Sequence, residues 1–383
     1  MKKWSVAVGG YKVGQQELGY MDKALKSSRL SYGPLTREFE KRFAALHDSK
    51  FAVFCNSGTS ALQVALQALK EKYRWKDGDE VLVPALTFVA TANIVLHNRM
   101  VPRFCDVTLD DFGLDVQYWP EGPAIKAAIP VHVGGLPCDI DDIRHQVRGY
   151  GLRMIEDSCE TMFAGVNGKS VGSWGSVGCF STYMAHILTT GVGGLCTTSD
   201  PDLAVRIRSL MNHGRDSIYL DIDKRGKEVM ERRFRFTSVG HSFRATEMEA
   251  ALGLGQLDRW EKIVQKRRDL RGELMSRLIS FPVRFQASQN GRTMTPMFFP
   301  IIAEGHKKKL TAHLESRGIE TRDLLPLINQ PIYRKMFGNL DKQFPNAAYL
   351  NKHAFYIGCH TEMTLKDCDY VAEIFDEYYR GKR

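Results

Sequence analysis

The sequence predicts an α/β protein with a mostly parallel central sheet, on the strength of three observations. The chain has 383 residues, which is enough for a large domain followed by a smaller one. Helical or turn-rich stretches alternate with short apolar runs, a pattern typical of parallel strands joined by helices. The apolar runs are Phe51–Cys55, Glu80–Pro84, Arg103–Val107, Ala127–Val133 and Arg153–Asp157.

The elements on either side of these runs can be placed in chain order. Residues 34–46 place their apolar side chains on one helical face, and a second helix should begin after the break at 56–58. Beyond residue 177 the pattern predicts two strands, Gly178–Thr182 and Gly193–Ser199, followed by a helix over Asp200–Asn212. Together these elements define a large domain, residues 1–243.

The C-terminal third predicts a separate small domain. We expect one long helix over 244–278, either straight or kinked, to connect the domains, and a small α+β domain over 279–383. The small domain should contain a strand, Met294–Ile302, and a helix, Lys307–Arg317. Between Gly214 and Gly240 the sequence is polar and irregular, which indicates a loop near the cleft between the domains.

Composition narrows the class of protein. No apolar stretch is long enough to span a bilayer and no signal peptide is visible, so the sequence predicts a cytoplasmic protein without a membrane partner. The eight cysteines lack metal-ligand spacing and indicate buried apolar positions in a reducing compartment, with no metal site. The formal charge of +9 favours an anionic small-molecule substrate over nucleic acid, and the basic runs, such as 224–235 and 262–271, are expected to be solvated helix faces.

Three segments carry candidate chemistry. Ser57-Gly58-Thr59 lies between a strand and a helix, where backbone N–H groups favour an anion, although helix caps of this composition are common. Asp157 closes a predicted parallel strand, where such sheets bind ligands, although it could equally cap the next helix. His186 precedes a glycine-rich stretch that implies a constrained backbone, and a lone histidine there is usually a structural hydrogen-bonding group.

Taken together, these segments resemble the DegT/DnrJ/StrS family of sugar aminotransferases and dehydratases, which are fold-type-I enzymes that use pyridoxal phosphate (PLP) or pyridoxamine phosphate (PMP). The resemblance extends over almost the whole chain. The matching segments are Tyr32–Pro34 with Phe39-Glu40, Asn56–Leu62, Thr87–Thr91, Val131-His132, Glu156-Asp157, Phe180-Ser181, Thr189–Gly191, Ala250–Leu254 with Gln256-Leu257, and Gly318–Arg322.

The resemblance implies a role for each candidate residue. The cofactor phosphate would lie against Ser57, Gly58 and Thr59, with a further hydroxyl from Ser181. The pyridine ring would stack on Phe88, and Asp157 would pair with the protonated ring nitrogen. Glu160 stands near the cofactor's phenolic oxygen, where family members often have Gln or His, and a carboxylate there opposes the phenolate charge unless it is protonated.

The family's cofactor-binding lysine is expected five residues after Ser181, and the residue found there is His186. An imidazole cannot form the covalent bond with an aldehyde that a primary amine forms, but it can transfer a proton near neutral pH. This substitution is similar to that of the PMP-dependent 3-dehydratases of keto-deoxyhexoses. It implies a dehydratase acting at C3 of a nucleotide-linked 4-keto-6-deoxy sugar, with His186 as acid and base and an amino donor such as glutamate.

Other interpretations of the sequence stay open. The chain could be a sugar-nucleotide aminotransferase that tolerates His186 or carries it as an engineered residue. It could also be a non-catalytic binding protein, or could modify an amino acid or a nucleic-acid base. Val192 replaces a common glutamate of the loop, and Ser242 replaces the asparagine that reaches the neighbouring subunit's cofactor phosphate. The resemblance implies a homodimer with shared active sites, in which Arg244 is a candidate for binding the nucleotide.

Overall fold

A computed structural model of the chain describes residues 4–120, 122–216, 234–287 and 291–381. Most of the basic run 224–235 and most of the predicted loop 214–240 therefore lie outside the described residues. Within the described ranges, none of the helices is long and apolar enough to cross a bilayer.

A seven-stranded sheet forms the centre of the large domain, in the spatial order β1-β9-β8-β5-β4-β2-β3. Strand β9 runs antiparallel to both of its neighbours, and the pairs from β8 to β3 are parallel. The prediction of a mostly parallel sheet is confirmed. The strands are β1 Phe51–Cys55, β2 Glu80–Pro84, β3 Val101–Cys105, β4 Ile125–Ala128, β5 Arg153–Asp157, β8 Val177–Ser181 and β9 Gly194–Thr198.

Two predicted strands begin and end earlier than the sequence indicated. The run predicted as Arg103–Val107 is Val101–Cys105, and the run predicted as Ala127–Val133 ends at Ala128. The second strand ends early because Pro130 has no N–H group to donate. The chain then turns through a short 3₁₀ segment in which Gly134 has a φ of 65°.

The helices of the large domain cover the sheet. Phe39 of the second helix packs edge-to-face on Phe54 of β1, with ring centroids 5.0 Å apart. Phe43, one turn later, makes the same kind of contact with Phe180 of β8. The predicted apolar face of residues 34–46 therefore lies against the sheet. The helices are α1 Gln15–Lys26, α2 Pro34–Leu46, α3 Gly58–Tyr73, α4 Val89–His97, α5 Ile140–Gly149 and α6 Pro201–Leu210.

The single connecting helix predicted over 244–278 is wrong, because this stretch forms two helices. Helix α7, Glu247–Leu257, begins at a capping box between Thr246 and Glu249. Helix α8, Trp260–Leu278, begins after Arg259, whose φ of −136° breaks the helical path. Arg259 instead reaches back to pair with the buried carboxylate of Glu17 on α1. A tertiary ion pair therefore accompanies the break.

A second apolar core joins α8 to the C-terminal elements. Leu270 and Leu274 pack with Phe299 and Phe375, and Val6 near the N-terminus belongs to the same cluster. The strand predicted as Met294–Ile302 is shorter, because Thr295 and Met297 donate to Gly135 and Gly134 instead of to a strand. The elements are β10 Arg284–Phe285, β12 Phe298–Ile302, β13 Arg322–Asp323, β14 Ala354–Gly358, α9 Lys307–Ser316, α10 Pro331–Phe337, α11 Pro345–His353 and α12 Leu365–Arg380.

These C-terminal strands form an antiparallel sheet in the order β10-β12-β14-β13. A small three-stranded sheet, β11-β6-β7, joins the two parts of the chain. Its strands are β6 Gly165–Val166, β7 Lys169–Ser170 and β11 Arg292–Thr293. The domain limits at 243 and 279 stay a prediction.

Candidate active site

Asp157 lies at the carboxyl end of β5, among the parallel strands, as the sequence predicted. One carboxylate oxygen accepts a hydrogen bond of 2.8 Å from the Thr91 hydroxyl, and the other accepts one of 3.2 Å from the Cys159 N–H. Burial raises the pKa of Asp157, although these hydrogen bonds act in the opposite direction. Among the described residues, no lysine or arginine forms an ion pair with it, so a cationic ring nitrogen would supply a missing partner.

The Ser57–Thr59 segment forms the start of α3. The Ser57 hydroxyl caps the helix by accepting from the Ser60 N–H at 3.0 Å, and Ser60 in turn donates to Asn56. The first two N–H groups of the helix, at Gly58 and Thr59, need acceptors from outside the helix. Thr59 is exposed, so this helix start is open to an anion such as a phosphate.

Gly58 allows the helix start to approach β8 closely. A Cβ atom at this position would lie 2.7 Å from the Cβ of Ser181 and 2.9 Å from the Cys159 sulfur. Both distances are shorter than carbon and sulfur atoms tolerate, so a larger residue would force the segments apart. The predicted phosphate residues Gly58 and Ser181 therefore lie side by side.

His186 belongs to a loop between β8 and β9, which we call the histidine loop (residues 182–193). Its N–H donates to the Tyr183 carbonyl in a tight turn, and its Nδ1 lies 3.3 Å from the Ser181 hydroxyl. Burial lowers the pKa of His186 to about 4. The imidazole is therefore neutral at pH 7 and can accept a proton.

The histidine loop is held by residues far away in sequence. Gln256 of α7 accepts from the Thr189 N–H at 2.9 Å and donates to the Thr189 carbonyl at 2.5 Å. Within the loop, the hydroxyls of Thr182 and Thr190 bind each other at 2.6 Å. Gly193 has a φ of 151°, and a Cβ there would collide with both hydroxyls. The predicted constraint at the glycines is therefore real, and it comes from two hydroxyls of the loop and from the Phe54 ring of β1.

Phe88 and Glu160 are each connected to Asp157, Phe88 through Thr91 and Glu160 through the effect of the Asp157 charge. The Phe88 side chain is 60% exposed, and its carbonyl accepts from the N–H of Thr91, the residue that binds Asp157. Glu160 lies three positions after Asp157 and accepts a 3.0 Å hydrogen bond from the Gly134 N–H. Burial raises the pKa of Glu160 to about 8, and the charge of Asp157 adds to the effect. Glu160 is thus mainly protonated at neutral pH, the form in which it can donate to a phenolate.

Ser242 is placed differently from the other candidates. It is exposed, and within the described chain its hydroxyl accepts from the Arg244 guanidinium at 3.2 Å. The adjoining Phe243 carbonyl accepts from the Asn56 N–H at 2.8 Å, so this segment runs beside the start of α3. Ser242 therefore lies near the phosphate residues of its own chain along the backbone, with its side chain open to the surface.

Sequence reasoning missed two residues that support the site. Thr91 lay within a matching segment but received no role, although one helical turn separates it from Phe88. Arg267 was assigned to a solvated helix face and is in fact only 2% exposed. Arg267 lies within the basic run 262–271, and the periodicity of apolar residues does not distinguish a buried arginine from the exposed ones around it.

The residues present fit a PLP or PMP cofactor. The close contact at Gly58 shapes a helix start for a phosphate, and no lysine or arginine among the described side chains forms an ion pair with the buried Asp157. Phe88 is exposed and therefore free to cover a ring. His186 lies in the loop that follows Ser181, and its ring contacts the Ser181 hydroxyl.

Comparisons with known proteins agree with this assignment. The DegT/DnrJ/EryC1/StrS aminotransferase family pattern matches residues 12–376. The GDP-perosamine synthase of Caulobacter vibrioides is 31% identical, covering 97% of this chain and 98% of its own. The GDP-4-keto-6-deoxy-D-mannose 3-dehydratase of Escherichia coli O55:H7 is 26% identical, covering 92% and 95%.

A solved structure of GDP-4-keto-6-deoxymannose-3-dehydratase with a trapped PLP-glutamate geminal diamine superposes with a TM-score of 0.88. It is 25% identical and covers 97% of this chain and 100% of that chain. The resemblance found in the sequence is confirmed, as is the expectation of an enzyme, which removes the non-catalytic interpretation. This chain belongs to the DegT/DnrJ/EryC1/StrS aminotransferase family, and it is a fold-type-I enzyme whose cofactor is PLP or PMP.

Proposed function

We propose that this enzyme is a dehydratase that removes the C3 hydroxyl of a nucleotide-linked 4-keto-6-deoxy sugar. The observation that carries the proposal is the presence of His186, hydrogen-bonded to Ser181, beside an otherwise complete cofactor site. A primary amine at this place would capture the cofactor covalently, whereas an imidazole leaves it free. The substitution changes the chemistry available at one position while the binding groups are retained.

The chain's binding groups have separate tasks. The start of α3, with Ser57, Gly58 and Thr59, and the Ser181 hydroxyl hold the phosphate. Phe88 covers one face of the ring, and Asp157 holds the proton on the ring nitrogen. PMP supplies an amine that condenses with a ketone and an electron sink that stabilises negative charge next to it. Glu160 in its acid form donates a hydrogen bond to the phenolic oxygen.

His186 moves the protons in this proposal. When its Nδ1 donates to the Ser181 hydroxyl, Nε2 keeps a free lone pair and would be available to accept a proton beside the bound cofactor. The imidazolium then gives that proton to the departing C3 hydroxyl, which leaves as water. Overall, the sugar loses one oxygen atom while glutamate becomes 2-oxoglutarate and ammonia, so that atoms and electrons balance.

The relatives support two activities, and the alternative is amine transfer to a nucleotide sugar. Identity with GDP-perosamine synthase, 31%, exceeds identity with the 3-dehydratase, 26%. That difference reflects the whole chain, however, and position 186 is where the reaction divides. Replacing His186 with lysine should allow covalent capture of PLP, detected as added mass after borohydride reduction, and should increase amine transfer if the native reaction is transamination.

A homodimer with shared active sites is part of the same proposal. Ser242 and Arg244 are exposed beside the start of α3, where a second subunit can reach them. In the dimer, Ser242 would extend toward the partner's cofactor phosphate and Arg244 toward the anionic nucleotide. Their exposure in one chain supports this placement, because neither side chain is needed to fill the core.

The test uses purified protein loaded with PMP, supplied with glutamate and a panel of GDP- and dTDP-linked 4-keto-6-deoxy sugars. We expect one of these sugars to lose one oxygen atom, as measured by mass spectrometry of the product. An unchanged panel would reject the proposal. A product in which an amino group replaces the ketone oxygen would instead establish the aminotransferase.

A further inference from the structure

Arg267, on helix α8, is a buried cation whose side-chain hydrogen bonds to the described residues all go to main-chain carbonyls. Nη1 donates to Pro296, Met297 and Cys359 at 3.0, 3.1 and 2.7 Å, and Nη2 donates to the His186 carbonyl at 3.0 Å. The side chain is only 2% exposed. One guanidinium therefore joins the histidine loop to the two chain segments that lie beside β12 and β14.

The buried guanidinium of Arg267 has no acidic partner among the described residues, so keeping it charged inside the protein costs free energy. Among the described residues, no carboxylate forms an ion pair with Arg267, and its Nε is buried without a hydrogen-bond partner. Burial lowers the pKa of Arg267 to about 10, which still leaves it charged at pH 7. A buried charge that pairs with carbonyl dipoles alone is a poor source of stability, since an apolar side chain of similar size could fill the space. Its placement therefore indicates another role.

Two neighbouring arginines of α8 provide an internal comparison. Arg268 donates through Nε to the Met294 carbonyl at 2.7 Å, and Arg271 donates through Nη2 to the Gln286 carbonyl at 3.1 Å. Burial lowers the pKa of both, as it does for Arg267. None of their described contacts involves the histidine loop. The distinguishing contact of Arg267 is therefore the one to His186.

The same loop is also contacted from the N-terminal segment. A Cβ at Gly9 would lie 3.1 Å from the Cα of Ala185, so the segment passes directly over the residue before His186. The His360 ring, next to Cys359, binds the Ala7 carbonyl at 3.0 Å. Residues 7–9 and Arg267 thus bind the same two places, the histidine loop and the end of β14. The loop backbone at Ala185 and His186 therefore lies against both the N-terminal segment and Arg267.

We propose that Arg267 is a positioning residue: it fixes the main chain at His186, and so the imidazole, relative to Ser181 and to the C-terminal strands. The catalytic consequence rests on the proposed function, whereas the geometric coupling does not. A planar guanidinium suits this task because its two terminal nitrogens point to different acceptors at fixed angles. Lysine, with one terminal nitrogen, cannot reproduce that geometry.

The test compares Arg267→Gln and Arg267→Lys with the matched controls Arg271→Gln and Arg271→Lys. The first readout is the NMR titration of the His186 ring in the cofactor-free protein, assigned with a His186→Asn variant. The positive charge of Arg267 contributes to lowering the pKa of His186, so Arg267→Gln should raise that pKa and Arg271→Gln should leave it unchanged. Arg267→Lys, which keeps the charge, should instead change the His186 ring chemical shifts through altered geometry.

The second readout separates turnover from binding in the holoenzyme. We expect kcat for Arg267→Lys to fall about 10- to 100-fold while the Kd for PMP stays within about threefold, because misplacing a reacting group lowers rate more than binding. The Arg271→Lys control should retain nearly full kcat. Should Arg267→Gln fail to fold, Arg267→Lys still decides the question through chemical shifts.

Equal effects of the Arg267 and Arg271 variants, with an unmoved His186 titration, would overturn the inference and leave Arg267 a structural residue. If the NMR coupling is present but the wild-type enzyme dehydrates no sugar, the proposed function fails and the coupling stands. The two failures are therefore distinguishable.

Discussion

The phosphate and ring site differs from the histidine loop in how each is held. Ser57, Ser60 and Asn56 bind one another within four positions of the chain, so the start of α3 is built by local contacts. The ring partner Asp157 is bound by Thr91, 66 positions away. The histidine loop depends instead on Gln256 and Arg267, which contact it from 67 and 81 positions away. The difference teaches that cofactor binding and proton transfer rest on largely different contacts, with Ser181 common to both, so that most changes to one region should leave the other in place.

Removing the imidazole should produce the largest effect. We expect His186→Asn to lower kcat about 100- to 10,000-fold, the range typical of losing a general acid–base group. Cofactor affinity should change little, because the phosphate and ring contacts remain. Steady-state kinetics and a PMP binding titration measure both quantities. The control is His145→Asn, which replaces an exposed histidine of α5 and should have no effect. A strong loss of PMP binding in His186→Asn would show that the two regions are not independent.

Asp157→Asn tests the other region. The substitution removes the charge that faces the ring nitrogen while keeping the shape, so PLP affinity should fall about 10- to 100-fold, as for the loss of one charged hydrogen bond. The His186 ring titration should stay unchanged. Equilibrium binding followed by absorbance measures the change, with the exposed Asp142→Asn as control. Unaltered PLP affinity would mean that Asp157 does not hold the ring.

Gly58→Ala should push the start of α3 away from β8 through a steric clash and so distort the phosphate site. The added methyl group meets the Ser181 and Cys159 side chains at 2.7 and 2.9 Å, and overpacking of this kind typically lowers the free energy of unfolding by about 1–3 kcal/mol. PLP binding should weaken as well. Chemical denaturation and cofactor titration measure the two effects.

The matched control is Gly272→Ala in helix α8, where nothing lies within 4 Å of the new methyl group. This change should raise the free energy of unfolding by about 0.5–1 kcal/mol, since alanine favours a helix over glycine. If Gly58→Ala behaves like the control, the close approach of α3 and β8 is not a constraint on the site.

The last prediction concerns the pH dependence of stability in the cofactor-free protein. Burial raises the pKa of Glu160 from 4.5 to about 8, so over this range the folded chain binds a proton that the unfolded chain releases. The contribution of Glu160 to stability is therefore complete below pH 4.5 and is lost as the pH rises through 8. Denaturation at several pH values should show a weaker decline for Glu160→Gln between pH 6.5 and 8.

The same pH series separates Glu160 from His186. Burial lowers the pKa of His186 from 6.5 to about 4, so its contribution is present above pH 6.5 and is lost as the pH falls toward 4. Above pH 6.5 the contribution of His186 to stability no longer changes, so the slope between pH 6.5 and 8 reports on Glu160. Identical slopes for wild type and Glu160→Gln there would show that Glu160 is ionised in the fold.

Local patterns predicted the parallel strands and drew attention to Ser57 and Asp157, whereas Phe88 and Glu160 entered only through the family resemblance. A strand that ends at Asp157 and a helix that starts after Ser57 need no knowledge of distant residues. The break between α7 and α8 escaped prediction because a distant pairing with Glu17 accompanies it. Arg267 was misplaced for a similar reason: its acceptors are main-chain carbonyls, which leave no trace in residue type.

The fate of glutamate nitrogen tests the central claim most directly. The enzyme would be loaded with PMP and supplied with isotope-labelled glutamate and the sugar nucleotide that it accepts. If His186 makes the enzyme a dehydratase, the label should appear as free ammonium and the sugar product should contain none. Label retained in the sugar as an amino group would contradict the account and show that the enzyme transfers an amine despite its histidine.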